Sequence, residues 1–130
     1  MECAHSKSNY ITGGRAMKKT YELSLAEMFS HFDVLNDSSN IKLKTYNTFR
    51  RTGVYKFIED FRGKSFFNLL KSIKKDDYVM CAIMVIVAEH YGVHIEIPDL
   101  SQASSDSERR KIEKINFILA EYKKKIEFND

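Results

Sequence analysis

Residues 78–88 read Tyr-Val-Met-Cys-Ala-Ile-Met-Val-Ile-Val-Ala, eleven consecutive positions without a charge. A membrane span needs roughly 20 apolar residues, so a run of this length is a core helix. Val79, Met80, Ala82, Ile83, Val85, Ile86 and Val87 put apolar groups on every face of it, and a helix that is apolar all round has to be surrounded by other elements. The chain has 130 residues and is 43% hydrophobic, enough for one core without metals or disulfides. The expected fold class is all-α: a compact, mainly helical bundle of about five helices around this central one, with at most one short strand.

The flanking sequence punctuates the chain in the same sense. Asp76 and Asp77 open the central helix, where negative charge suits the helix dipole, and Gly92 closes it. Ser24-Leu25-Ala26-Glu27 is a capping box, and Leu25, Met28, Phe29 and Phe32 follow at helical spacing, which predicts a helix over 25–34. The polar cluster Asp37-Ser38-Ser39-Asn40 stops that helix and caps a segment over 41–51. After the Thr52-Gly53 break, 54–61 reads as a short helix closed by Gly63. Ser65 caps a helix through Phe66, Leu69, Leu70 and Ile73. Residues 93–97 alternate apolar with polar before Pro98, the pattern of a short strand near His94 or of an extended segment against the core, and a partner for such a strand is not evident. Ser105-Asp106-Ser107-Glu108 is a second capping box. Beyond it Ile112, Ile115, Leu119, Tyr122 and Ile126 lay a narrow stripe that either packs on the core or joins two copies as a homodimer through this C-terminal helix.

Residues 1–16 are polar, contain Gly13-Gly14 and show no period, so they are expected to be a flexible tail or an upstream extension of the gene, with 17–130 as a single helical domain. The opening residues lack the apolar stretch of a secretory signal. The two cysteines, Cys3 and Cys81, make no disulfide framework. A reducing, cytoplasmic setting without membrane contact is expected.

Charge is segregated. Between residues 42 and 75 lie ten Lys or Arg against Glu59 and Asp60, which leaves eleven cations against sixteen acids elsewhere. Tyr46, Phe49, Tyr55, Phe57, Phe61, Phe66 and Phe67 are interleaved with those cations, and cations beside rings suit phosphate backbones and exposed bases. The same pattern also serves a domain whose rings form the core and whose lysines form a solvated face. Two short helices about the Thr52-Gly53 break, preceded by Lys42 and Lys44, suggest a helix-turn-helix whose second helix offers Tyr55, Lys56 and Arg62 to a groove. Arg50, Arg51, Lys64, Lys71 and Lys74 then act as phosphate clamps, against the opposing charge of Glu59 and Asp60. Solvent exposure of Tyr46, Phe49 and Tyr55 would favour bases as ligands, whereas their burial would leave a general positive field.

Motifs for chemistry are weak. Gly63-Lys64-Ser65 has the end of a phosphate-binding loop, but the earlier glycine that such a loop needs is Ile58. His90 and His94, with Cys81, Cys3 or His5, lack the paired spacing of a zinc site. Asp76-Asp77 and Glu59-Asp60 are sequence neighbours that point apart on a helix, so they do not converge for acid–base work. No enzyme activity and no cofactor are expected. Residues 88–99, Ala-Glu-His-Tyr-Gly-Val-His-Ile-Glu-Ile-Pro-Asp, resemble the end of the second helix of acyl carrier proteins. In that family a serine after aspartate opens the helix and carries phosphopantetheine; here the opening is Asp76-Asp77-Tyr78, so the resemblance implies a carrier-like shape without the attachment atom. The function expected from the residues is a small non-catalytic regulatory protein that uses 42–75 to engage an anionic macromolecule, nucleic acid (DNA or RNA) before all others. The alternative is an adaptor or inhibitor docking on an acidic protein surface.

Overall fold

The computed structural model describes residues 10–11 and 18–129. The protein is mainly helical, with α1 (Leu25–Ser30), α2 (Ile41–Arg51), α3 (Phe66–Ile73), α4 (Tyr78–His90) and α5 (Asp106–Lys125). Short 3-10 turns lie at Thr20–Glu22, Ile58–Phe61 and Leu100–Gln102. Among the described residues there are also two antiparallel strand pairs: β1 (Tyr10–Ile11) with β2 (Lys18–Lys19), and β3 (Phe32–Val34) with β4 (Ile126–Phe128). Of the tail expected over 1–16, all but Tyr10 and Ile11 fall outside the described residues; those two pair with Lys19 and Lys18.

The apolar helix α4 occupies the centre, as its composition requires. Asp77 caps it by accepting from the Met80 amide at 3.1 Å, every residue from Met80 to Ala88 is buried, and α5, α2 and α3 all pack against it. Burying each Val, Ile or Met side chain there stabilises the fold by about 1.5–3 kcal/mol. Helix α5 spends its stripe on this contact: Ile112, Ile115, Ile118 and Leu119 are buried within the protomer. Of the two readings of the stripe, packing on the protein's own core is the one seen for Ile115 and Leu119.

Two local expectations change for identifiable reasons, and the extended segment over 93–97 finds its partner. The helix over 25–34 stops at Ser30, where His31 donates back to Met28 O, and the period then switches from helical to alternating: Phe32 and Val34 face the core and Asp33 faces out. Phe32 fits either period, which hid the switch. Strand β3 pairs with β4 in the register Phe32–Phe128, Asp33–Glu127 and Val34–Ile126, so α5 ends at Lys125 and Ile126 belongs to a strand.

The short helix over 54–61 reduces to the 3-10 turn at Ile58–Phe61. Its first half is extended because the Leu25 amide donates to Lys56 O and the Ile58 amide to Leu23 O, both at 3.0 Å. Asp60 then gathers the Lys56 and Phe57 amides at 2.8 and 2.9 Å. Lastly, 93–97 is extended and its partner is the entry to α3: the Phe66 amide donates to Glu96 O at 2.8 Å and the Glu96 amide to Lys64 O at 2.9 Å. Val93 and Ile95 are buried there, while His94 and Glu96 are exposed.

Candidate functional site

The ten cations between 42 and 75 do not form one face. Lys42 reaches back to Asp33 at 3.3 Å and lies 5.3 Å from the centre of the Phe32 ring. Arg62 is ion-paired with Glu59, its Nη2 donating to Oε1 at 3.1 Å; that hydrogen bond is the main reason the Glu59 carboxyl is held below its ordinary range. Arg50 lies over the Tyr46 ring at 5.8 Å, on the side of α2 that borders α1. Lys44, Lys56, Lys64 and Lys71 are exposed on separate stretches of backbone.

Arg51 behaves differently. With Lys74 and Lys75 it lines a cavity of about 270 Å³ between the C-terminal ends of α2 and α3, and the remaining lining is Thr48, Thr52, Ser72 and Ile73. No carboxylate lines it, and among the described residues none of the three cations has an ion-pair partner. Helix C-termini normally draw cations to their open carbonyls. Here several of those carbonyls are met by other donors: Thr52 Oγ1 donates to Phe49 O at 2.7 Å, the Gly53 amide to Arg50 O at 3.2 Å, and the Lys74 amide to Leu70 O at 3.1 Å. Lys74 takes the left-handed conformation, φ 57°, which turns the chain so that Lys74 and Lys75 both border the cavity. The three charged side chains are exposed to solvent.

Phe49 and Tyr55 lie beneath this surface, while Phe57 is exposed. Phe49 is fully buried and Tyr55 is 3% exposed, stacked on Phe61 with centroids 4.4 Å apart and planes 2° apart. The Tyr55 hydroxyl donates to Ser72 Oγ at 2.7 Å, since Ser72 spends its own proton on Asn68 O. Tyr46 is half-buried against the core. Tyr55 thus presents no face to a ligand, and with no helix over 54–57 the helix-turn-helix expected around Thr52-Gly53 does not form. Its role is to hold the end of α3 that carries Lys74.

Of the sequence-selected cations the structure brings Arg51 and Lys74 together and disperses the others. Lys75, Thr48, Thr52 and Ser72 complete the cavity without having been singled out. Part of their signal was present: Thr48, Arg51 and Thr52 are three and four apart and share a helix face, whereas Lys75 lies beyond the left-handed Lys74 and no helical spacing ties it to Ser72.

The other candidate centres resolve into structure. Burial pushes the Cys81 thiol's pKa well above its ordinary value and leaves it a core side chain. His94 Nδ1 lies 3.1 Å from Glu89 Oε1, while the His90 ring stacks on Phe128 with centroids 3.6 Å apart, so the two histidines have separate neighbours. Among the described residues no three His, Cys, Asp or Glu cluster as metal ligands would. Gly63 has φ 80° after the 3-10 turn, and Ser65 caps α3 by accepting from the Asn68 amide at 3.2 Å; these are a turn end and a helix start. No helix among the described residues is long and apolar enough to cross a membrane. Compared with protein-family models, curated proteins and solved structures, the chain matches none of them.

Proposed function

We propose that this chain is a small, non-catalytic regulatory binding protein that docks the phosphate backbone of nucleic acid on the cationic end formed by α2 and α3. The observation that carries the reading is the convergence of Arg51, Lys74 and Lys75 on one cavity with no acid among them. Three cations released from structural duty supply the sequence-independent attraction on which nucleic-acid binding rests. Phe49 and Tyr55 are buried and no ring lines the cavity, so the contact there is to phosphate rather than to bases.

The test is fluorescence anisotropy of the purified chain with labelled random-sequence duplex and single-stranded DNA and RNA across a salt series. Three phosphate contacts on a duplex give a slope of log K against log salt of about −2.7, at roughly −0.9 per contact. Arg51→Gln should flatten that slope by about one and weaken binding equally across sequences. Duplex should bind at least as tightly as single strand. No binding to any of the four at low salt would overturn the reading and leave the acidic protein surface as the partner to pursue.

A further inference from the structure

The cavity has a shape and a charge that an internal backbone phosphate does not require. A protein that tracks a strand spaces its cations along an open groove, each meeting one phosphodiester of a single negative charge. Here one arginine and two lysines from two different helix ends close on a single concave space, between walls supplied by Thr48 and Ile73. That concentration suits a group with more than one negative charge and several acceptor oxygens. A terminal phosphomonoester carries about −1.5 to −2 at neutral pH and three strong acceptor oxygens.

We infer that the Arg51, Lys74 and Lys75 cavity takes the terminal phosphate of a nucleic-acid end. This rests on the nucleic-acid reading above and narrows it from any stretch of backbone to a 5′-phosphorylated terminus. Arg51 provides the planar fork that engages two phosphate oxygens together, and the two lysines act as point charges on the remaining oxygen and on the next phosphate inward. The hydroxyls of Thr52 and Ser72 stay on carbonyls of their own helices, Phe49 O and Asn68 O, so the cations are the groups of the lining that are left to meet the phosphate. The buried rings explain why recognition would stop at the phosphate and ignore the base that follows it.

The experiment compares one duplex oligonucleotide carrying a 5′-phosphate with the same oligonucleotide ending in 5′-hydroxyl, titrated against the full chain at fixed salt. The 5′-phosphate form should bind about tenfold more tightly, the scale of a hydrogen-bonded charge contact, and inorganic phosphate should erase the difference. Arg51→Gln and Lys74→Asn should each abolish the preference while leaving the unfolding midpoint near that of the parent; asparagine suits the left-handed backbone at that position. Lys123→Gln, which removes an exposed cation elsewhere, should keep it. Equal affinity for the two ends, with binding otherwise intact, overturns this inference and leaves the nucleic-acid reading standing. Absence of binding to either end at low salt overturns both. A phosphotyrosine peptide that binds with the affinity of the 5′-phosphate duplex reassigns the cavity to phosphoproteins and overturns the nucleic-acid assignment.

Discussion

Tyr55 and Glu59 show how much a single side chain in this segment differs from its appearance in the sequence. Tyr55 is buried and its hydroxyl, whose pKa is raised chiefly by that burial, remains a donor to Ser72. Tyr55→Phe keeps the stack on Phe61 and removes one hydrogen bond, so it should cost about 0.5–1.5 kcal/mol in urea unfolding. Glu59 has a folded pKa below its ordinary value, through Arg62 first and the Thr20 hydroxyl as well. Between the folded and unfolded pKa values the unfolded chain binds more protons, so this group's stabilisation is present above the ordinary carboxylate range near ~4.3 and is lost as pH falls through the folded value. The stability gap between parent and Glu59→Gln should therefore narrow on moving from about pH 7 to about pH 3; a constant gap would remove the Arg62 pair as its source. The cations of the candidate site were legible as a charge excess. Which of them are already paired was legible only in part: Glu59 stands three positions before Arg62, but Asp33 is nine positions from Lys42 and no local spacing reports that contact.

At the scale of elements, the caps were the most legible part. Ser24 and Glu27 exchange hydrogen bonds at 3.2 and 3.1 Å, and Asp37 accepts from the Ile41 and Lys42 amides at 2.6 and 3.1 Å, as local side-chain chemistry demands. The cap before α5 deviates: Ser105 accepts from the Glu108 amide, but Glu108 bonds the Ser104 amide instead of returning to Ser105. Local signals failed where backbone partners come from far away. The extended stretch before Ile58 is held by Leu23 and Leu25, and β3 is held by β4, and neither contact leaves a trace within a short window. Ile126 was assigned to the α5 stripe because it is apolar and four residues beyond Tyr122, yet it is 8% exposed in a strand. Ile126→Ala should cost about 2–5 kcal/mol by thermal or chemical unfolding, more than a fraying helix end would lose.

For the molecule as a whole, charge and core are laid out by separate logics. The core radiates from α4, while the surplus of cations over 42–75 follows the order of the chain and is gathered only where two helix ends meet. That is why the fold class could be read from one apolar run whereas the candidate site needed coordinates. The pairing of β3 with β4 has a further consequence. Asn129 Nδ2 reaches Asp33 Oδ2 at 3.1 Å across 96 positions of sequence, and the strand pair beside it closes a loop of similar length. Loop closure of that size is entropically costly and is repaid only after the intervening helices have docked. The clasp should then form after the folding barrier has been crossed and release before it on the way back. Ile126→Ala is accordingly expected to speed unfolding and leave the refolding rate almost unchanged in stopped-flow chevrons, which makes the seam between the two distant strands the clock that sets how long each folded molecule lasts.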